Sequence, residues 1–223
     1  MSIEDEKRAA AQAAAALVED GMRVGLGTGS TVRYLLPALA ERRLTLRCVA
    51  TSPATERLAV ELGMVVEPFE MLDALDIAID GADQVAPDGW AIKGGGGAHT
   101  REKVVAAASA RFVIIASSDK VVDALGPPVP LELLSFGLPA TLRLLGEARV
   151  RPATPHSPDG GVIADYLGAF DDPRALAERL VEIPGVVEHG LFAATIVSDV
   201  LIARGEEIVD EVATYRGEGQ TFL

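Results

Sequence analysis

The feature that most constrains this fold is a repeated change of pattern in the first half of the chain. Short apolar runs give way to longer segments with helical spacing, and the apolar runs then return. Residues 24–26, 44–50, 77–80, 91–93 and 112–116 have the length and aliphatic character of buried strands. Helical patterns fill the intervals: about 5–20, stopped by Gly21; Thr31 through about Glu41; a third with Thr51 or Ser52 as cap and Pro53 in its first turn, stopped by Gly63; and 100–110. This alternation predicts an α/β fold, an open, mostly parallel, Rossmann-like sheet with helices on both faces. Hydrophobic residues are 49% of the chain and aromatics only 4%, so the core has to be aliphatic.

The pattern changes after Gly126-Pro127-Pro128. Strands are expected at 129–134 and 162–165, helices at 138–146 and 173–180, a Pro/Gly loop at 151–161, and short extended pieces at 186–187 and 191–192. This reads as a smaller α+β subdomain over 128–204, a candidate oligomer interface, beside a main catalytic domain formed by 1–127 and 205–223. The segments 200–203 and 208–209 are expected to return to the main sheet.

Charge and cysteine content narrow the function. The net charge is −13 with no basic stripe, which argues against a nucleic-acid partner. A phosphate-bearing substrate would have to be held by local backbone N–H groups and a few placed cations. Cys48 is the lone cysteine, so no disulfide forms within the chain, and its apolar surroundings suggest a buried structural thiol. The Ala-rich run at 9–18 is flanked by Glu4, Asp5, Glu6, Glu19 and Asp20, which suits a capped helix and not a secretion signal. No stretch reaches the ~18 apolar residues of a membrane span. A cytoplasmic location is expected.

Several candidate site residues fall at predicted strand ends, where ligands collect in parallel sheets. The segment Gly25-Leu26-Gly27-Thr28-Gly29-Ser30-Thr31 joins a strand to a helix and can offer N–H groups and hydroxyls to an anion, although it lacks the P-loop lysine and the dinucleotide glycine spacing. Lys7 and Lys120 are candidate supporting cations. Asp80-Gly81-Ala82-Asp83 is either a capped turn or a pair of working carboxylates. Lys93 precedes Gly94-Gly95-Gly96-Gly97, a run costly to order without a ligand or a close backbone approach. Glu102 stands where a helix-start acid would stand, and a catalytic base is the other reading.

These segments, with Thr100-Arg101-Glu102-Lys103, resemble in order and spacing the signatures of the type A ribose-5-phosphate isomerase family. The resemblance continues through Ile183-Pro184-Gly185-Val186-Val187 and Gly190-Leu191-Phe192. It implies an aldose–ketose isomerase acting on D-ribose 5-phosphate and D-ribulose 5-phosphate through an enediolate, in the non-oxidative pentose phosphate pathway. The residue matching Glu102 would be the base, Lys93 would stabilise the oxyanion, and Asp80 and Asp83 would bind hydroxyls and relay protons. Substrate binding would fall to Thr28, Gly29, Ser30, Thr31, Gly81, Ala82, Gly94, Gly95, Gly96, Lys120 and Lys7. No metal or organic cofactor is implied, and a homodimer or homotetramer is expected. Gln84, His99 and Ser135 depart from the family's usual Glu, apolar residue and Pro. A non-catalytic sugar-phosphate sensor, an amino-sugar phosphate deaminase and a hexose-phosphate isomerase are the competing readings.

Overall fold

Side-chain caps set the start of two of the main-domain helices in the computed structural model, which describes residues 2–205 and 207–210. Ser2 and Asp5 form a reciprocal capping box at the head of α1 (Ile3–Ala16). Strand β1 (Arg23–Leu26) leads into α2 (Val32–Glu41), and β2 (Arg47–Ala50) into α3 (Pro53–Glu61). Ser52 caps α3 by accepting from the Thr55 N–H, with Pro53 in the first turn where its missing donor costs nothing. Next come β3 (Ile77–Gly81), the short strands β4 (Gln84–Val85) and β5 (Ala91–Ile92), α4 (His99–Ala107) and β6 (Phe112–Ser117). The smaller part holds β7 (Val129–Leu133), α5 (Leu138–Leu145), β8 (Ala148–Val150), β9 (Val162–Tyr166), α6 (Pro173–Val181), β10 (Val186–His189) and β11 (Leu191–Phe192). The chain then forms β12 (Asp199–Arg204) and β13 (Glu207–Asp210).

Among the described residues the main sheet has six strands in the order β13-β12-β6-β3-β1-β2, parallel except for the terminal β12–β13 hairpin. Alternation along the strands builds a core on each face. Ile77, Ile79, Val113 and Ile115 pack beneath α1 and α2, with Ala10, Ala14, Leu35 and Leu39. Ala78, Ile114 and Ala116 face the other way, toward Val105 and Ala106 of α4. Each large aliphatic side chain fully removed from water contributes roughly 1.5–3 kcal/mol. Cys48 lies in the first core, where burial pushes its thiol up to about 12, consistent with a structural role.

The smaller part is an antiparallel sheet, β10-β7-β9-β8, with its own core of Leu131, Leu133, Leu176 and Leu180. A third sheet, β11-β5-β4, joins it to the main one.

Two expectations need correction. The division at residue 204 falls too late, because Asp199 through Ala203 pairs in parallel with β6 and is part of the main sheet. The extra strand β8 was not anticipated, since Ala148-Arg149-Val150 is only three residues long with two side chains exposed, too short a run to mark a strand. Of the expected C-terminal return, 211–223 lies outside the described residues. Gln84 has a clear structural use, as its amide donates to the Gly126 carbonyl and accepts from the Gly126 N–H, both at 2.9 Å. A glutamate there would supply only the acceptor.

Candidate active site

The loop after β1 closes against the end of β3, and glycine at 27 is what permits the contact. A Cβ on Gly27 would lie 2.1 Å from the Asp80 carboxyl group. Asp80 Oδ1 instead accepts from the N–H groups of Thr28, at 2.9 Å, and Gly81, at 2.7 Å. The Thr28 hydroxyl pairs with that of Thr51 at 2.8 Å, and Thr55 Oγ1 donates to the Gly27 carbonyl at 2.8 Å. Thr31 opens α2 without capping it, so its hydroxyl is not spent on the helix. The N–H groups of Gly29, Ser30 and Thr31 have no hydrogen-bond partner among the described residues. They are donors for an anion at the start of a helix.

Beneath this loop three charged groups are buried together. Lys93 Nζ lies 2.8 Å from Asp80 Oδ2, 3.0 Å from Glu102 Oε2 and 2.6 Å from the Gly81 carbonyl it donates to. All three side chains are about 2–3% exposed. The contact with Glu102 is an ion pair without hydrogen-bond alignment, leaving Oε2 with an unused lone pair. The Phe192 ring centroid is 5.3 Å from Nζ, so an aromatic face backs the ammonium.

Two carboxylates share one cation away from water, and their protonation is displaced accordingly. Burial, then the Asp80 charge, push Glu102 up to about 8, against the pull of Lys93. Burial also raises Asp80, partly offset by Lys93 and the two N–H donors. Burial opposes the charge on Lys93, but the two carboxylates outweigh it and its pKa is raised. The ammonium therefore stays charged, while Glu102 holds its proton well above the usual carboxylate range.

One cleft is lined by Thr28, Gly29, Ser30, Thr31, Gly81, Ala82, Asp83, Lys93, Gly94, Gly95, Gly96, Glu102 and Lys120. Of the residues singled out in the sequence, Asp80 lies just under that lining, bonded to Lys93. Lys7 does not line it, and its ammonium is paired with Glu4 at 2.7 Å. A larger cavity of about 490 Å³ opens beside Arg101 and Val104 and touches none of the acid–base set.

His99 is fully buried, and burial followed by the Lys103 charge depresses it to about 3. Neither ring nitrogen has a hydrogen-bond partner. It packs against Gly94, where a Cβ would come within 2.7 Å of it. His189 is likewise held neutral, mainly by burial, and contacts Lys103, while His156 binds the Gly160 carbonyl. Among the described residues no group of three His, Cys, Asp or Glu side chains is placed to hold a metal ion.

Sequence reasoning missed the second layer. Thr51 read as a candidate cap, Thr55 carried no reading, and the roles of Phe192 and Arg151 depend on contacts far along the chain. Gly190 did carry a signal, since a Cβ there would sit 2.2 Å from the Lys93 carbonyl.

A Rossmann-like sheet that closes a buried carboxylate–lysine–carboxylate centre under a loop of unpaired N–H donors has the make-up of an α/β enzyme of the acid–base kind. Comparison with known proteins gives the family. The model described as Ribose 5-phosphate isomerase A (phosphoriboisomerase A) matches residues 47–207. A ribose-5-phosphate isomerase A of Sphingopyxis alaskensis is 45% identical, covering 96% of this chain and 97% of its own. The crystal structure of ribose 5 phosphate isomerase A from Neisseria gonorrhoeae superposes with a TM-score of 0.89 at 32% identity, over 94% of this chain and 96% of that one. A D-ribose-5-phosphate isomerase in complex with phospho-erythronic acid gives 0.88 at 33% identity, over 94% and 99%. The chain belongs to the ribose 5-phosphate isomerase A family.

Proposed function

We propose that this protein interconverts D-ribose 5-phosphate and D-ribulose 5-phosphate by moving one proton between the first two carbons. The observation that carries the reading is the buried Asp80–Lys93–Glu102 cluster opening on a cleft rimmed by unpaired backbone donors. Glu102 takes the proton from C2 of the open-chain aldose, leaving a 1,2-enediolate. Returning that proton to C1, with O1 protonated and O2 released as a ketone, completes the exchange. Lys93 lies 3.0 Å from the base and bears the charge that steadies the developing oxyanion. Asp80 and Asp83 bind hydroxyls and relay protons during ring opening. Thr28 and the N–H groups of Gly29, Ser30 and Thr31 grip the phosphate with Lys120, and Lys7 joins on leaving Glu4.

The relative bound to phospho-erythronic acid supports this reading, because a four-carbon acid phosphate offers a planar carboxylate where the enediolate would form. The same reading places the enzyme in the cytoplasm and in the non-oxidative pentose phosphate pathway. It also gives a dimer or tetramer assembled through the smaller part, with 128–198 as that subdomain.

The test is turnover across aldose phosphates, followed by NMR in D2O. Ribulose 5-phosphate formation with deuterium entering at the carbon that receives the proton is expected. Glu102→Gln should lower kcat by roughly 10²–10⁴ or more. Undiminished turnover in that variant would remove Glu102 as the base. Tight ribose 5-phosphate binding without turnover in the unmodified protein would indicate a sensor, and preference for another sugar phosphate a different enzyme.

A further inference from the structure

We infer that Arg151, held by Asp165, is a positioning residue that sets the peptide orientation of the glycine wall facing the substrate. The inference rests on the isomerase reading for its kinetic arm but on geometry for its substance.

The run Gly94-Gly95-Gly96-Gly97 has almost no side chain to anchor it, and glycine loses more backbone freedom on ordering than any other residue. Gly94, Gly95 and Gly96 nonetheless form part of the cleft wall. Beyond its own turn, in which the Gly97 N–H donates to the Gly94 carbonyl at 2.9 Å, two groups from different parts of the protein hold this wall. Asp83 Oδ2 accepts from the Gly95 N–H at 2.7 Å. Arg151 Nη1 donates to the Gly95 carbonyl at 2.8 Å and, more weakly, to the Gly94 carbonyl at 3.3 Å.

A trans peptide points its C=O and N–H to opposite sides. Asp83 and Arg151 therefore grip opposite edges of the peptide joining residues 94 and 95. The next peptide is fixed by the stronger bond: with the Gly95 carbonyl turned to Arg151, the Gly96 N–H must point away from it. That N–H has no partner among the described residues, and Gly96 lines the cleft.

The guanidinium is itself set rigidly. Its Nε and Nη2 donate to the two oxygens of Asp165 at 2.9 and 2.5 Å, in the fork arrangement that fixes a guanidinium plane. Asp165 belongs to β9, and the Arg151 N–H bonds the Ile163 carbonyl on that same strand. The antiparallel sheet of the smaller part thus aims Nη1 across to a loop 56 residues earlier in the chain. An ammonium could neither lie in this plane nor reach both carbonyls while satisfying Asp165.

The experiment compares Arg151→Ala, Arg151→Lys and Asp165→Asn with the unmodified protein. Measurements are ribose 5-phosphate turnover, hydrogen exchange over 94–97, and the unfolding midpoint. Expected for Arg151→Ala is kcat/KM lower on the order of 10–100-fold, as for a small misplacement of a binding group. Faster exchange confined to the glycine loop should accompany it. Millimolar guanidinium should restore part of the activity, and sodium or methylammonium chloride should not. Arg151→Lys should behave like the alanine variant, and Asp165→Asn should show a smaller loss of the same kind. Unchanged kcat and KM in Arg151→Ala would overturn the inference. So would a loss unrelieved by guanidinium with a lowered midpoint and exchange raised throughout the smaller part. If Arg151→Ala does not fold, unaltered loop exchange and kinetics in Asp165→Asn would overturn it. If the unmodified protein turns over no ribose 5-phosphate, the isomerase reading fails, and loop exchange alone still decides the role of Arg151.

Discussion

At the scale of single residues the site is a balance of charge that favours reactivity over stability. Asp80, Lys93 and Glu102 bring two carboxylates and one ammonium out of water, an arrangement with one negative charge too many. Burial and Asp80 raise Glu102 to about 8 from the ordinary 4.5. A carboxyl raised in the folded state stabilises folding most fully below its unfolded value and loses that contribution as pH rises through the folded value. The pH window for Glu102 therefore runs from about 4.5 to about 8, with stability falling upward. Glu102→Gln removes the excess charge, so thermal unfolding should show it more stable by ~1–2 kcal/mol at pH 8, roughly 2–8 °C in Tm. The gain should vanish near pH 4.5, and a gain independent of pH would show that Glu102 is not the strained group. Activity follows the same ionisation in the opposite sense. In the proposed role Glu102 works only when ionised, so kcat/KM should climb through the region around pH 8 and not level off at the pKa of an ordinary glutamate.

The elements show why part of this was legible in sequence. Strand ends carrying Asp80 and the 27–31 turn were readable because β-α alternation fixes where such ends must lie, and a parallel sheet brings them to one edge, whereas Lys93 follows β5 of the separate antiparallel sheet β11-β5-β4. The smaller part was less legible. Strand β8 exposes two of three side chains, the domain boundary was set past β12 although 200–203 was expected in the main sheet, and Arg151 sits in a Pro/Gly loop where a lone cation looks solvated. Its partners lie 56 and 57 residues away, a distance no local pattern encodes. Lys7 illustrates the converse, since a plausible cation in sequence is tied to Glu4 three residues earlier. The turn between β1 and α2 offers a direct check on how the elements meet. Gly27→Ala would drive a methyl group against the Asp80 carboxyl, 2.1 Å away, and force the turn off β3. Unfolding should show a loss of about 1–3 kcal/mol. Turnover should fall on the order of 10²-fold, because Thr28 and Asp80 shift together. Normal kinetics in that variant would mean that the turn is not held where the cleft needs it.

Over the whole molecule the cleft and the proposed assembly surface are separate. The cleft takes its lining from the main domain, at residues 28–31, 81–83, 93–96, 102 and 120, all within one chain. The smaller part instead exposes large apolar side chains: Leu134 just past β7, Phe136 in the following turn, Leu144 on α5 and Val187 on β10. Phe136 is 91% exposed, a state for which a chain of net charge −13 has little reason unless a partner covers the ring. A second copy is the occupant proposed above, and cyclic dimers are the commonest way such a patch is closed. Phe136→Asp places a charge at that surface without touching a core, since position 136 contributes to none of the buried clusters. Light scattering should then show a mass half that of the unmodified dimer, or a tetramer resolved into smaller units. Turnover per chain should stay within about twofold, because position 136 is not among the residues that line the cleft and a surface substitution of this kind costs little stability. An unchanged mass would remove Phe136 from the interface, and a collapse in turnover at the lower mass would mean that the cleft depends on its neighbour after all.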